Sequence, residues 1–421
     1  MKRYESYKPS GISWIGQIPS HWEVAQLRKF LSLVSIKGHG NKQLLSVTRE
    51  QGVIVRDMES KDANHNYIPD DLSNYKLVKK GQFAINKMKS WQGSYAVSNY
   101  EGIVSPAYYV CDLNFDNKDF FSWAIRSKAY IPFFTQMSKG IRVDQWDLST
   151  NALKDIPFFV PTPEEQKKIV EFLSTKTSLI DAQQRERERE LRLLDELKQA
   201  EIANVVTRGL NPDVPMKNAQ TIQFGQIPAH WQERKIQYCF NERSQKGFPN
   251  EPMLCATQSQ GVIPQSMYAN RVVVVNKDFD KQKLVKVGDF VISLRSFEGG
   301  IEYAYYQGII SAAYTILTPR EVENSEYFKI LFKSFNFIQL LQTCVTGIRE
   351  GQNINYPFLS KHFIPIPPIE EQKAIVAYIQ QKTQSIDEMI ASLRAEIDFL
   401  TEYKQRLIAD VVTGQVNVQN L

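Results

Sequence analysis

The chain contains most of its distinctive motifs twice and in the same order. Residues 15–22 (IGQIPSHW) return as residues 224–231 (FGQIPAHW), identical at six of eight positions. Three shorter motifs are also repeated: QGVI at 51–54 and 260–263, EEQK at 164–167 and 370–373, and VVT at 205–207 and 411–413. The distance between the copies drifts only from 209 to 206 residues. This pattern predicts two copies of one structural unit and a pseudo-two-fold arrangement that suits a symmetric or bipartite partner.

The composition is that of an ordinary soluble globular protein. Of the 421 residues, 43% are hydrophobic and 23% are charged, which is close to the usual proportions. No stretch approaches the ~18 apolar residues that a membrane span needs, and the first residues lack the apolar region of a secretion signal. The four cysteines are scattered along the chain: Cys111, Cys239, Cys255 and Cys344. We therefore expect a cytoplasmic protein with free thiols, no membrane association and no structural zinc.

Two segments are predicted to form long helices. The first follows a PTP sequence at 161–163 and contains no further Gly or Pro before Gly209. The second, over residues 369–413, lies between Pro368 and Gly414. Both have EEQK in the first turn, where acidic residues favour a helix start. Each helix of ~45 residues would be ~65–70 Å long, which is typical of a coiled coil or a spacer.

The two long helices differ in their apolar pattern. In the second, apolar residues recur with a heptad spacing, at Ile386, Ile390, Leu393, Ile397, Leu400 and Leu407. In the first, the run RERERE at 185–190 interrupts a similar stripe. This run is either a solvated face with intrahelical ion pairs or a docking surface for another subunit. Because a lone helix of such polarity is marginally stable, we expect the two helices to pack together in antiparallel orientation.

The positive charge is concentrated outside the long helices. The first helix has 9 basic and 10 acidic residues, and the second has 5 basic and 8 acidic residues. The rest of the chain has 37 basic and 28 acidic residues, an excess of +9, whereas the whole chain carries only +5. An anionic polymer would therefore contact the globular parts.

The two globular blocks, residues up to about 158 and from about 216 to 366, contain short β-rich runs. In each copy a buried strand leads into a loop with basic and aromatic residues, NKMKSWQG at 86–93 and SLRSFEGG at 293–300. A second pair of such segments is SKGIR at 138–142 and TGIR at 346–349. Basic residues beside Gly suit phosphate contacts, and Arg also reads guanine edges. The predicted DNA-binding residues are Lys87, Lys89, Ser90, Trp91, Lys139, Arg142, Arg295, Ser296, Phe297 and Arg349.

The repeated His-Trp pairs allow two interpretations. Trp22 and Trp231 could stack on a ligand, or they could anchor the chain where each globular block begins. We favour the anchor, because a buried Trp contributes a large apolar surface to packing. His21 and His230 are then expected to be structural.

No motif for catalysis or cofactor binding is present. The sequence has no Gly-rich loop for nucleotide phosphates and no dinucleotide fingerprint, and its histidines show no metal or triad spacing. We therefore expect no catalytic centre, no cofactor and no metal. The residues alone leave three functions open: a non-catalytic recognition protein, an enzyme with an unrecognised site, and a protein-binding scaffold without nucleic acid.

The repeated His-Trp entry, the Gly turn before a buried strand and the EEQKxIV helix start resemble, over essentially the whole chain, the specificity subunit of type I DNA restriction–modification systems. The resemblance implies two target-recognition domains, each reading half of a bipartite, asymmetric sequence in the major groove of double-stranded DNA. It also implies docking of two adenine-specific DNA methyltransferase subunits and, through them, restriction (motor and nuclease) subunits. The methyl donor and ATP would bind to those partners.

The predicted fold class is α+β, with two β-rich mixed α/β target-recognition domains separated by two long antiparallel helices. The predicted segments are 1–158, 159–209, 210–366 and 367–421: recognition domain, helix, recognition domain, and helix with tail. Half-sites on one face of the duplex would lie about one turn, ~34 Å, apart. We expect Arg349→Ala to relax preference at one half-site only, and we expect the amino terminus near the end of the second helix.

Overall fold

The chain forms two compact units in a computed structural model. Unit 1 comprises Met1–Arg187 and Ala395–Leu421, and unit 2 comprises Glu188–Arg394. The structure describes residues 2–57, 68–140, 146–268, 278–320, 325–347 and 352–419. The boundaries predicted from the sequence, at residues 158, 209 and 366, lie between globular blocks and helices. The compact units divide the chain differently, because each contains a globular part and portions of both long helices.

Unit 1 contains fourteen strands among its described residues. They are β1 Tyr7–Pro9, β2 Gln17–Pro19, β3 Glu23–Gln26, β4 Leu31–Val34, β5 Leu45–Thr48, β6 Gly52–Val55, β7 Lys76–Val78, β8 Phe83–Ile85, β9 Tyr95–Val97, β10 Gly102–Val104, β11 Tyr109–Leu113, β12 Ser138–Lys139, β13 Asp147–Leu148 and β14 Pro157–Val160. The helices that begin in this unit are α1 Lys118–Arg126, α2 Ile131–Met137, α3 Thr150–Asp155 and α4 Pro163–Arg208, and short 3-10 turns lie at Leu27–Lys29 and Ser90–Gln92.

The centre of unit 1 is an antiparallel sheet in the order β4-β11-β8-β9. Its strands pack against α1 and α2 through an aromatic core, in which Tyr95 stacks on Phe134 with ring centroids 3.8 Å apart. Phe121 stacks on Phe158 at 4.8 Å. A second apolar cluster, around Val78 and Val104, lies beneath the β5–β6 hairpin. Buried aromatic pairs of this kind supply much of the apolar burial that stabilises a domain.

Unit 2 repeats this plan. Its strands are β15 Met216–Asn218, β16 Gln226–Pro228, β17 Gln232–Lys235, β18 Phe240–Arg243, β19 Leu254–Thr257, β20 Gly261–Pro264, β21 Lys283–Val285, β22 Phe290–Ile292, β23 Glu302–Tyr303, β24 Gly308–Ile310, β25 Thr315–Pro319, β26 Val345–Thr346, β27 Asn353–Ile354 and β28 Phe363–Ile366. The helices that begin in this unit are α5 Ile236–Cys239, α6 Ser296–Gly299, α7 Ser325–Leu331, α8 Phe335–Thr343, α9 Tyr356–Leu359 and α10 Ile369–Val412, and 3-10 turns lie at Ile222–Phe224, Gln265–Met267 and Phe279–Lys281.

The central sheet of unit 2 has the order β18-β25-β22-β23, which matches β4-β11-β8-β9 of unit 1 strand for strand. Its core again contains a cluster of aromatic rings, with Phe332 and Phe337 4.7 Å apart. The predicted duplication and the predicted α+β fold class are therefore confirmed.

The long helices are confirmed as α4, with 46 residues, and α10, with 44 residues. In unit 1 Gln184 donates to Thr401 over 2.7 Å, and Arg187 pairs with Glu396 over 3.0 Å. Because the α10 partner moves back along the chain as the α4 residue advances, the helices are antiparallel here. Unit 2 shows the same relation, since Lys198 pairs with Asp387 and Glu201 accepts a bond from Tyr378 over 2.6 Å.

In unit 1 the His-Trp pair joins the globular part to both long helices. Trp22 is completely buried, and its indole lies against Gly414, two residues after the end of α10. His21 Nε2 lies 3.0 Å from the carboxylate of Glu165 in the first turn of α4. The interpretation of Trp22 as an anchor is therefore confirmed, and His21 has a structural partner.

Unit 2 has the same junction. Trp231 is 1% exposed and lies against Gly209, which directly follows α4. His230 Nε2 lies 2.9 Å from Glu371 in the first turn of α10. Each junction thus holds the start of one long helix and the end of the other.

The two ends of the chain meet in unit 1, as predicted. The Asn417 amide donates to the Lys2 carbonyl over 2.9 Å, and the Tyr7 hydroxyl donates to the Gly414 carbonyl over 3.0 Å.

None of the helices in the described parts of the chain is both long enough and apolar enough to cross a membrane.

Candidate nucleic-acid interface

The first candidate segment, loop 1, covers residues 86–94 between β8 and β9. β8 is fully buried, so the chain must return to the surface directly after it. A 3-10 turn over Ser90–Gln92 and Gly93, which has φ 96°, reverse its direction. That left-handed conformation favours Gly over any residue with a Cβ. The loop therefore starts from a buried strand and is closed by a turn that requires Gly.

Lys87 and Lys89 differ in how free their charges are. Lys87 Nζ donates to the Asp147 carboxylate over 2.7 Å, and this hydrogen bond raises the pKa of Lys87. Lys89 is exposed at the surface of the loop. An unneutralised ammonium contacts a phosphate more favourably than one already paired with a carboxylate, so Lys89 is the better candidate of the two.

Trp91 is half-buried and lies beside a second tryptophan. Its ring centroid is 5.4 Å from that of Trp146 in an edge-to-face arrangement, and its indole N–H donates to the Met88 carbonyl over 3.2 Å. The sequence analysis did not identify Trp146. A Trp-Asp pair at 146–147, close to the basic segment at 138–142, was the available signal. Two adjacent tryptophans offer a surface on which a sugar or a base can pack.

The prediction that Ser90 and Ser296 contact DNA directly needs correction. Ser90 has no exposed surface, and Ser296 has 2%. The Ser90 hydroxyl donates to the Lys87 carbonyl over 3.1 Å, and the Ser296 hydroxyl accepts from the Ser293 amide over 2.8 Å. Small polar side chains that satisfy backbone groups in this way stabilise turns, so both serines shape the loops from inside.

Loop 2, residues 293–301 between β22 and β23, is the counterpart of loop 1 in unit 2. Arg295 is exposed and Phe297 is half-buried at the start of α6. Gly300, with φ 84°, ends the turn and packs directly against the backbone of Phe332. An exposed guanidinium beside an aromatic ring can bind phosphate or the edge of a guanine.

The second pair of predicted segments lies next to the loops. Lys139, at the end of β12, is exposed and pairs in register with Asp147, the partner of Lys87. Lys87, Trp91 and Lys139 are therefore close together in unit 1, as the prediction requires. In unit 2, α8 leads into β26 and its Gln342 donates to the Phe297 carbonyl over 3.3 Å. Arg142 and Arg349 lie outside the described residues.

The described residues contain no group of three or more His, Cys, Asp or Glu side chains arranged to hold a metal ion. The four cysteines are free thiols, and burial raises the pKa of Cys111 to about 12. A thiol with so high a pKa is a poor nucleophile at neutral pH.

Known proteins resemble this chain in sequence and in fold. The protein-family profile described as the type I restriction modification DNA specificity domain matches residues 224–398. A protein of Methanocaldococcus jannaschii assigned as the type I restriction enzyme MjaX specificity subunit is 23% identical over 96% of each chain. The type I restriction enzyme MjaVIII specificity subunit of the same organism is 22% identical over 96% of this chain and 95% of that protein.

A solved structure described as the structural basis of complex assembly and conformational transition of the type I R-M system has the same fold. Its chain superposes with a TM-score of 0.66 at 16% identity, covering 95% of this chain and 99% of that chain.

Proposed function

We propose that this chain, which is similar over 96% of its length to type I restriction enzyme specificity subunits, is a non-catalytic DNA specificity subunit, and that each of its two units reads one half of a bipartite DNA target. One observation carries this proposal. Loops 1 and 2 occupy equivalent positions on equivalent scaffolds, yet they expose different side chains, Lys89 and Trp91 in one and Arg295 and Phe297 in the other.

The chemistry of the loops supports contact with double-stranded DNA. Their exposed cations suit phosphate oxygens, and an exposed Arg can read a guanine edge in the major groove. Because the scaffold is shared while the exposed side chains differ, the two half-sites should have different sequences. The proposed contacts are Lys87, Lys89, Trp91 and Lys139 in unit 1 and Arg295 and Phe297 in unit 2, with Arg142 and Arg349 as predicted from the sequence.

We further propose that two adenine-specific methyltransferase subunits dock on the long helices and that restriction subunits join through them. Each unit exposes large apolar side chains on its helix segments, Leu179 and Phe399 in unit 1, and Leu193, Leu197 and Met389 in unit 2. The three side chains of unit 2 line one groove, and exposed apolar patches are typical of protein interfaces. We also propose a cytoplasmic location, which the free cysteines support, because disulfides are rare in that compartment.

Methylation mapping tests this function. DNA from cells that carry this chain with its methyltransferase and restriction subunits should be methylated at one bipartite, asymmetric sequence, and DNA from cells without this chain should not. The purified chain alone should neither methylate nor cut DNA. A contiguous target, or modification by the chain alone, would contradict the proposal. Binding that does not depend on salt would instead favour a protein scaffold.

A further inference from the structure

A half-buried arginine in unit 1 joins loop 1 to a second exposed segment. Arg126, the last residue of α1, donates from Nη1 to the carbonyls of Gly93 and Tyr95 over 3.0 and 3.1 Å. From Nη2 it donates to the carbonyls of Arg49 and Glu50 over 3.0 and 2.8 Å. Gly93 closes loop 1, and the other pair lies in the turn between β5 and β6, here named turn 1 (residues 48–52). One guanidinium therefore connects loop 1 with turn 1.

In unit 2 a lysine makes the corresponding connection. Lys333 Nζ donates to the Gln258 carbonyl over 3.2 Å and to the Gly299 carbonyl over 2.9 Å, and its third bond goes to the Glu302 carboxylate. Gln258 lies in the turn between β19 and β20, here named turn 2 (residues 257–261), and Gly299 lies in loop 2. The lysine therefore connects loop 2 with turn 2.

The neighbouring residues show that the two cations occupy equivalent positions. Ser127 and Ser334 directly follow Arg126 and Lys333, and both are buried. Each serine hydroxyl donates over 2.7 Å to the carbonyl three residues earlier. The two repeats therefore share the position of the cation and the connection that it makes between loop and turn, although the residue type differs.

The surroundings of each cation match its number of donors. Arg126 satisfies four carbonyls without a carboxylate, whereas an ammonium has only three N–H groups. Lys333 contacts two carbonyls and the buried Glu302, which is 3% exposed. Glu302 lies opposite Val291 in the sheet, the register position that Ala96 occupies opposite Ala84 in unit 1. Arg126 in one unit, and Lys333 with Glu302 in the other, thus hold the loop and the turn in the same arrangement. This indicates that the position of the loops is what the two units have in common.

A second pair of side chains holds the same loops. The Thr135 hydroxyl donates to the Trp91 carbonyl over 3.0 Å, and the Gln342 amide donates to the Phe297 carbonyl over 3.3 Å. The backbone of each candidate aromatic residue is therefore held directly, and the cation bridge holds the carbonyl two residues later.

We propose that Arg126 and Lys333 are positioning residues for target recognition, each holding its loop and its turn together as a single reading surface. This inference rests on the proposed function. Turns 1 and 2 expose Arg49 and Gln258 beside the loops, and these residue types make bidentate contacts with guanine and adenine. The turns therefore add a second reading element to each unit.

The test measures discrimination by the full chain in complex with its methyltransferase subunits. The probes are duplexes with the target found by methylation mapping and duplexes with one base pair changed in one half-site. Arg126→Gln should reduce discrimination at one half-site by about tenfold, since a mismatched base pair normally costs one to two orders of magnitude in affinity. Discrimination at the other half-site should be unchanged. The double variant Lys333→Met with Glu302→Gln should affect that other half-site instead.

Two further variants keep the result interpretable. Lys128→Gln removes an exposed positive charge two residues from Arg126 and should leave discrimination at both half-sites unchanged. Arg126→Lys keeps three donors and should lose about threefold discrimination at the same half-site as Arg126→Gln. If Arg126→Gln does not fold, Arg126→Lys tests the positioning role instead.

Any of three results would overturn the positioning role. They are uniformly weaker binding to all duplexes, an equal loss of discrimination at both half-sites, and unchanged discrimination in folded Arg126 variants. A wild-type complex with no sequence preference would overturn the proposed function itself.

Discussion

Gly414 and Gly16 have nearly the same backbone conformation in very different surroundings. Their φ angles are 74° and 72°, in the left-handed region where any Cβ is strained. A Cβ on Gly414 would overlap Cδ of Pro19 and lie 3.3 Å from the Trp22 ring, whereas a Cβ on Gly16 would meet no atom within 4 Å. Substituting the two glycines therefore distinguishes the cost of backbone strain from the cost of disturbing the packing of the α10 end on Trp22.

We expect Gly16→Ala to lower the free energy of unfolding by about 1 kcal/mol, the cost of a left-handed Ala. Gly414→Ala should lower it by about 2–4 kcal/mol, because overpacking adds about 1–3 kcal/mol to that strain. Guanidinium denaturation of both variants measures the difference. Equal losses would show that the contact with Trp22 contributes nothing beyond the backbone conformation.

At the scale of the element, the repeated EEQK motif contains two carboxylates with different roles. Glu164 is exposed, whereas Glu165 is 5% exposed and accepts bonds from the Thr162 amide over 3.1 Å and from His21. Burial alone would raise the pKa of Glu165, but the hydrogen bonds from His21 and Thr162 outweigh it and lower the pKa. Glu165 therefore caps α4 and fixes its junction with the globular part.

Replacing Glu165 should destabilise unit 1 in a pH-dependent way. At pH 7 we expect Glu165→Gln to lower the free energy of unfolding by about 2 kcal/mol, since hydrogen bonds to a charged group contribute about 1.5–3 kcal/mol, and Glu164→Gln to have little effect. Because the pKa of Glu165 is depressed in the folded state, its contribution is present above the ordinary glutamate pKa and is lost as the pH falls through the folded value. The difference between wild type and Glu165→Gln should shrink below about pH 4. Denaturation at several pH values measures this, and a constant difference would contradict it.

Sequence predicted the elements better than it predicted which residues contact one another. The flanking Pro and Gly predicted the ends of α4 and α10 to within a few residues, because those signals are local. Ser90 was misinterpreted because a serine in a polar loop gives no sign that a neighbouring strand covers it. Arg126 and Lys333 were missed because their partners are 31 to 77 residues away, and because the repeats use different residue types for the same connection.

At the scale of the whole molecule, the apolar surface of the long helices needs a partner. In unit 2, Leu193 and Leu197 of α4 are 54% and 52% exposed, and Met389 of α10 is 53% exposed. They line one groove with the half-buried Leu393. An exposed apolar groove between two helices suits an apolar helix of a second protein, and the proposed methyltransferase subunit would supply it.

Replacing both leucines by glutamate should release that subunit. Burial of a charged carboxylate in an apolar interface is strongly unfavourable, so Leu193→Glu with Leu197→Glu should reduce co-purification of the methyltransferase subunit by at least about tenfold. The matched control is Gln199→Glu, which adds a charge at an exposed polar position of the same helix and should leave co-purification unchanged. Circular dichroism should show the same helix content in all three proteins, since the substituted positions face solvent in the free chain. Undiminished capture of the methyltransferase by the double variant would assign docking to other surfaces of the chain and leave the groove without a role in assembly.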